Sequence, residues 1–410
     1  MKFNKWTVAL AAIGAVSLAS AAKAEEKANM VQTALSSTTL SGYVDTSAQW
    51  NFGTGNEFNP PYKFGGASKA DGFNLDVIQL RIEKPLDEAE WAAGYRVDLW
   101  FGPDANTLGT TSTAHNADEI SPSSDFAIRQ AYVALRMPIG NGIDWKIGVF
   151  DSIVGYESVE SPNNPNYTRS YGHSIEPQTH TGVLASYRFC DMFSASVGIA
   201  DTKGPIINAR AFGEDGKAES FKTYMGSFAV TAPESLGFLA GSTLYAGIVS
   251  GFDDNEGGAD YGGNSTSYYV GATLATPVQG LRFGAAFDAL DVHEGSSTVA
   301  SPTARGGETW SVAGYASFNA TEKLSFHARA EYLKDRGNQK VFAGYPDEVL
   351  ALTATAQYDL WKNVVSRLEL RWDHDLNDHG AYGPPSTASD GESGRMDNAW
   401  MLAANVIYKF

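Results

Sequence analysis

The sequence is short of cysteine, of positive charge and of long apolar runs, and each shortage excludes something. Cys190 stands alone in 410 residues, so no disulfide framework holds the chain. Stability must come from backbone hydrogen bonding and burial. With no base motif beside it, Cys190 reads as a packed thiol near a turn rather than as a nucleophile. Lys and Arg number 30 against 47 Asp and Glu, a formal net charge of −17. That balance argues against a nucleic-acid partner, which needs a basic patch, and fits an acidic surface or a cation-favouring pore. Beyond the N-terminal stretch no apolar run reaches about 18 residues, so the chain does not cross a membrane as helices. The remaining structure able to span a bilayer is a closed barrel, in which every backbone polar group pairs with a neighbouring strand.

The N-terminus reads as a secretory signal peptide over residues 1–24. Lys2 and Lys5 precede an apolar run from Trp6 to about Leu18, and Ala22-Lys23-Ala24 supplies the small-x-small cleavage pattern. Removal of Lys2, Lys5 and Lys23 leaves the mature chain more acidic still. Residues 25–38 then form a short leader and 39–410 the folded unit.

From Thr39 onward the chain breaks into runs with period-two alternation, rich in Tyr, Phe, Trp, Val and Thr. Sixteen strands are predicted: 39–50, 73–84, 91–101, 125–137, 144–151, 179–188, 191–201, 219–232, 239–252, 266–276, 280–293, 308–318, 323–335, 347–360, 363–374 and 398–410. Long and short connections alternate between them. Residues 51–72, 102–124, 152–178 and 375–397 are long. Pro85 to Glu90, Pro138 to Ile143, the Cys190-Asp191 turn and Trp361-Lys362 are short. Short periplasmic turns, long extracellular loops and an even strand count are the habit of outer-membrane barrels. The fold class is therefore all-β: a transmembrane antiparallel up-and-down β-barrel of about 16 strands. That number leaves an aqueous interior, whereas eight strands fill their own.

The two faces of each strand agree with this. On 363–374, Val364, Leu368, Leu370 and Trp372 oppose Arg367, Glu369, Arg371 and Asp373. On 323–335, Leu324, Phe326, Ala328 and Ala330 oppose His327, Arg329 and Glu331. On 91–101, Tyr95, Val97 and Leu99 oppose Arg96 and Asp98. The charged faces are the candidate pore lining, to which Arg136 adds one more group. The last strand carries Tyr408 and Phe410 on one face, an ending that resembles the signal read by the barrel-assembly machinery.

The longest connection, 152–178, mixes Pro, Asn, Tyr and Arg, and loops of that length are functional or disordered. Its motifs are Gly155-Tyr156-Glu157, Ser161-Pro162-Asn163, Asn166-Tyr167-Thr168-Arg169-Ser170-Tyr171, Pro177 and Thr179-His180-Thr181-Gly182. With Leu40-Ser41-Gly42-Tyr43-Val44-Asp45 in the first strand, they resemble the OmpL-like β-barrel porin family, the second such family, over the whole mature chain. The resemblance implies an outer-membrane channel in which this loop folds inward and narrows the lumen. Glu157, Glu160, Arg169 and Glu176 would then form a constriction facing Arg96, Arg136, Arg367 and Arg371. Charges opposed in that way set a transverse field and ion selectivity. Tyr156, Tyr167 and Tyr171 would line the path of a sugar-specific channel. The plainer reading leaves the same charges solvated on the outer surface.

Other constellations carry less. Asp373-His374-Asp375 with Asp378 and His379 offers no closed four-ligand metal set. Asp253-Asp254-Asn255-Glu256 with Asp260 lacks calcium-loop spacing. Neither a cofactor nor a metal is expected. No serine motif ties His180 or His327 into a catalytic unit, so no enzyme is expected either. The partners are outer-membrane lipids and lipopolysaccharide, the assembly machinery through Phe410, and small hydrophilic solutes. The chain could stand as a monomer or as a trimer. The leading reading is passive diffusion, with a substrate-specific channel or a non-conducting adhesive barrel as alternatives.

Overall fold

The structure is a computed structural model that describes residues 31–32, 37–53, 58–87, 89–110, 124–211, 221–252, 264–293, 307–337, 342, 345–378, 380–383 and 396–410. The signal peptide, most of the leader, the acidic run at 253–260 and His379 lie outside them. Sixteen strands form the wall: β1 (Thr39–Phe52), β2 (Gly72–Lys84), β3 (Ala92–Phe101), β4 (Phe126–Met137), β5 (Ile143–Asp151), β6 (Thr179–Arg188), β7 (Phe193–Ala200), β8 (Thr223–Thr231), β9 (Thr243–Phe252), β10 (Asn264–Ala275), β11 (Leu281–Val292), β12 (Gly307–Asn319), β13 (Leu324–Gly337), β14 (Glu348–Trp361), β15 (Val364–Asp375) and β16 (Asn398–Lys409). Each runs antiparallel to the next, and β16 pairs with β1 through Leu402↔Trp50 and Val406↔Thr46, which closes the ring. Gly42 and Phe410 exchange both backbone hydrogen bonds at 2.9 and 3.0 Å, so the ladder continues to the last residue. The two-residue segment Val31–Gln32 adds a short pairing to Leu40 and Thr39.

Period-two alternation dictates which side chains face in. On β15, Leu368 and Leu370 are half exposed on the outside while Arg367, Glu369, Arg371 and Asp373 are buried inside. On β13, Phe326 is outside and His327, Arg329 and Glu331 are inside. This is the reverse of a water-soluble sandwich, whose interior is apolar. Among the described residues three register shifts interrupt the ladder, one near Asp359 and Trp361 and two that re-aim charged side chains. Asp45 pairs with Val77 and Thr46 with Leu75, which leaves Asp76 as the extra residue on β2. Asp98 pairs with Gln130 and Leu99 with Ile128, which leaves Arg129 as the extra residue on β4. A bulge re-aims one side chain, and both of these are charged and buried.

The connections at one end are 85–91, 138–142, 189–192, 232–242, 276–280, 320–323 and 362–363; those at the other include 53–71, 102–125 and 152–178. The predicted strand at 239–252 starts late, because Glu234–Leu239 coils into a 3-10 segment with Gly237 at φ 59° and Gly241 at φ 77°. That connection, 232–242, is longer than the other tight turns at its end, so the long/short rhythm blurs at mid-chain.

Candidate functional site

Loop 152–178 leaves β5 and rejoins β6 at one point, where the Ser152 N–H donates to the Gln178 carbonyl at 2.9 Å. Between those residues the chain runs into the barrel. Gly155, at φ +123°, makes a turn that an L side chain resists, and a Cβ there would meet the Glu176 carboxylate. Asn164 knits the descending limb. Its Oδ1 accepts from Ser158 N at 2.8 Å, and its Nδ2 donates to Ser158 O at 2.6 Å and Glu160 O at 2.9 Å. A helical turn, Tyr171–Ile175, follows, with Ser170 as its N-cap accepting from His173 N at 3.1 Å. Polar residues that would suit a solvated loop are thus used to fold this one on itself.

Two charge clusters dock the loop onto the wall. In the first, Glu160 is bound by Arg129 at 2.8 Å, by Arg96 at 3.2 Å and by Arg81. The same three arginines hold Asp98, each at 2.8 Å, and Arg129 also reaches Asp151. Burial works to raise the Glu160 pKa, but the guanidinium groups of Arg81, Arg129 and Arg96 outweigh it and hold the carboxyl at about 2. In the second cluster, Glu157 pairs with Arg329 at 2.9 Å, and Arg329 pairs in turn with Glu331 at 3.0 Å. Arg371 pairs with Asp373 at 2.8 Å and Glu331 at 3.3 Å.

Backbone groups of the loop complete this second set. Thr168 N–H donates to Glu369 at 3.0 Å and Tyr167 N–H at 2.6 Å. Tyr171 N–H donates to Glu331 at 2.7 Å, and its hydroxyl to Asp373 at 2.7 Å. Arg329 donates to Thr168 O at 2.8 Å, Arg371 to Arg169 O at 2.8 Å and Arg367 to Asn164 O at 2.6 Å. The wall therefore acts through side chains on a loop that answers largely through its backbone.

Several expectations change. Glu160 meets Arg96 together with Arg81 and Arg129, whereas Glu157 meets Arg329 rather than Arg136, Arg367 or Arg371. Arg136 is held by Asp144 at 2.6 Å and by the Asp87 carbonyl, at the end with the tight turns. It is not one of the arginines docking Glu157 or Glu160. Glu176 meets His173 at 3.5 Å and the Asp288 carboxyl rather than an arginine. Burial, and then Asp288, push its pKa well up. Arg169 turns back onto Tyr167 O and Val159 O, both at 3.0 Å. Tyr156 stacks on Tyr315 at 4.2 Å between centroids, and Tyr171 is fully buried. Both anchor the loop rather than lining an open path. His327 and His180 each meet a serine, Ser317 at 2.7 Å and Ser152 at 3.2 Å. Cys190 is exposed at its turn rather than packed.

The sequence reading missed Arg81, Arg129, Asp76, Asp104 and Lys69. Arg81 was visible, since Gln79, Arg81 and Glu83 alternate with Ile78, Leu80 and Ile82. Arg129 and Asp76 were not, because a bulge shifts the parity that the reading relies on. Lys69 binds Asp76 at 2.6 Å and Asp104 at 2.5 Å, which ties the connection 53–71 and the short helix Pro103–Leu108 to β2.

A closed sixteen-strand antiparallel barrel, charged inside and crossed by one long loop, defines a porin-like barrel. The chain belongs to the family described as "Putative beta-barrel porin-2, OmpL-like", whose profile matches residues 37–410. A search of curated proteins finds no match. Among solved structures, the outer membrane channel DcaP of Acinetobacter baumannii is similar at 14% identity and TM-score 0.58, covering 93% of this chain and 99% of that one. The anion-selective porin from Comamonas acidovorans is similar at 11% identity and TM-score 0.56, covering 91% and 99%. Salmonella typhi OmpF, in a complex with daunomycin, is similar at 14% identity and TM-score 0.54, covering 91% and 98%. At these identities the likeness is one of fold.

Proposed function

We propose that this protein is a non-enzymatic bacterial outer-membrane channel for passive diffusion of small hydrophilic solutes and ions, with loop 152–178 as its constriction. The observation that carries the proposal is the inverted polarity of the barrel: charged groups inside, half-exposed Leu, Phe and Trp outside. A lumen lined in this way stabilises water and polar solutes, and the outer face meets lipid. The tight-turn end faces the periplasm. Lipids, lipopolysaccharide and the assembly machinery are its partners, and OmpT of Vibrio cholerae, a similar barrel that has a trimer form, makes a trimer the oligomer to test.

A substrate-specific channel is the second reading. What favours it is the mutual neutralisation of the loop and wall charges. Glu157, Glu160, Arg329 and Arg371 are bound to protein groups, which suits a narrow, selective passage better than a wide one. Single-channel recording of the refolded protein in a planar bilayer under a salt gradient tests both. Discrete open-channel steps are the expected result, and a verified folded barrel that passes no current would refute the channel.

A further inference from the structure

The second limb of the loop is held by a contact of a different kind from the arginine clusters. Glu176 follows the helical turn Tyr171–Ile175, which packs against β11, β12 and β13. Its carboxyl is in hydrogen-bond contact with the carboxyl of Asp288 on β11. Two glycines make room for the pair. A Cβ at Gly155 would collide with Glu176 Oε2, and one at Gly172 with Asp288 Oδ2. Water has little access: the Glu176 side chain is 6% exposed and Asp288 is 4% exposed. Asp288 Oδ1 has no hydrogen-bond partner. Among the described residues no lysine or arginine lies within ion-pair distance of either carboxyl, whereas Glu157 and Glu160 both have arginines. Lys63, in the connection 53–71, acts from further away and favours an ionised Glu176, while Glu157 disfavours it. His173 stands 3.5 Å from Glu176. Burial, and then Arg169 and Lys63, drive its pKa well down, so it is neutral near pH 7. Tyr269 on β10 feels both carboxyls.

An ionised carboxylate only accepts hydrogen bonds. Two carboxyls in hydrogen-bond contact therefore hold a proton between them, and with no cation beside them burial favours keeping it. We propose that Glu176 and Asp288 form a proton-held latch that pins the second limb of the loop to β11 and releases it as the pH rises. When the shared proton leaves, two carboxylates face each other with no arginine to hold them, and the limb parts from the wall. The direction follows from Glu176, whose pKa burial and then Asp288 push well above the ordinary 4.5. The latch is at full strength below 4.5 and weakens as pH rises toward the raised value. Glu160, held at about 2 by its arginines, weakens in the opposite direction. The loop is thus closed over a band of pH: the arginine clamp fails on its acid side and the carboxyl latch on its alkaline side.

The inference rests on the channel reading, and two measurements on the full-length mature protein keep the failures apart. The first is single-channel current in a planar bilayer from about pH 5 to about pH 10, the range in which a raised carboxyl pKa is felt. The native channel is expected to show larger, noisier openings toward the alkaline end. Glu176→Gln and Asp288→Asn each replace the shared proton by an amide N–H that donates to the remaining carboxylate, so both are expected to lose the alkaline rise. In Lys63→Met the rise is expected at higher pH, because a charge that favours ionised Glu176 is gone. A native channel of constant conductance over this range overturns the latch, and so does a rise that persists unchanged in either amide variant. The second measurement follows the infrared band of protonated carboxyls in the detergent-refolded protein, which reads the shared proton without any current. One component is expected to disappear as pH rises in the native protein and to be missing from both amide variants; if there is no such component, the latch is overturned. Absence of current from a protein that keeps this component overturns the channel and not the latch.

Discussion

Glu160 is the residue whose removal tests most directly how the loop is held. It stands where Arg81, Arg96 and Arg129 converge. Its carboxyl is held at about 2 against an ordinary 4.5, and at about 1.4 kcal/mol per pKa unit the difference corresponds to roughly 3 kcal/mol favouring the docked loop. The sign follows from a depressed pKa. The contribution is complete above pH 4.5 and is lost as pH falls toward 2. At about tenfold per 1.4 kcal/mol, full protonation shifts the docked-to-undocked ratio of the loop by roughly a hundredfold. Asp98 and Asp151 face the same arginines, so acidification alone does not isolate Glu160. Glu160→Gln does. The native channel is expected to show larger, noisier openings only as pH falls below about 4.5, and E160Q to show them already near neutrality, with its reversal potential moved toward anions by the freed guanidiniums. An E160Q channel with native conductance and native selectivity near pH 7 would refute the docking role.

Further outcomes follow from the same contacts. Deleting residues 157–170 should enlarge single-channel conductance, and an unchanged value would remove the loop from the permeation path while leaving the barrel intact. Arg329→Gln leaves Glu157 without its arginine and Glu331 with Arg371 alone, a loss on the order of 3–5 kcal/mol for a buried pair. It should abolish hydrogen-exchange protection at the amides of Thr168, Ser170 and Tyr171, which donate to Glu369, Glu157 and Glu331, and retained protection would count against the arginine. Cys190, exposed at a tight turn, should react with a bulky maleimide only after the outer membrane is permeabilised. Labelling of intact cells would reverse the proposed orientation.

Strand number, strand position and the inward set on β3, β13 and β15 were legible because a pleated strand has a period of two and the barrel keeps one environment on each side. The sixteen expected strands differ from the observed ones mainly at their ends, as at Thr243, where glycines with positive φ replace a strand start by a 3-10 turn. The interior of the site was less legible for two physical reasons. Bulges at Asp76 and Arg129 change face parity without any change in composition. And the partner of a lumenal charge lies across the barrel, far away in sequence: Glu157 meets Arg329, and Tyr171 meets Asp373. Residue type showed that the loop carried charges able to pair; only the closed geometry determines that Glu160 takes three arginines while Arg169 takes none.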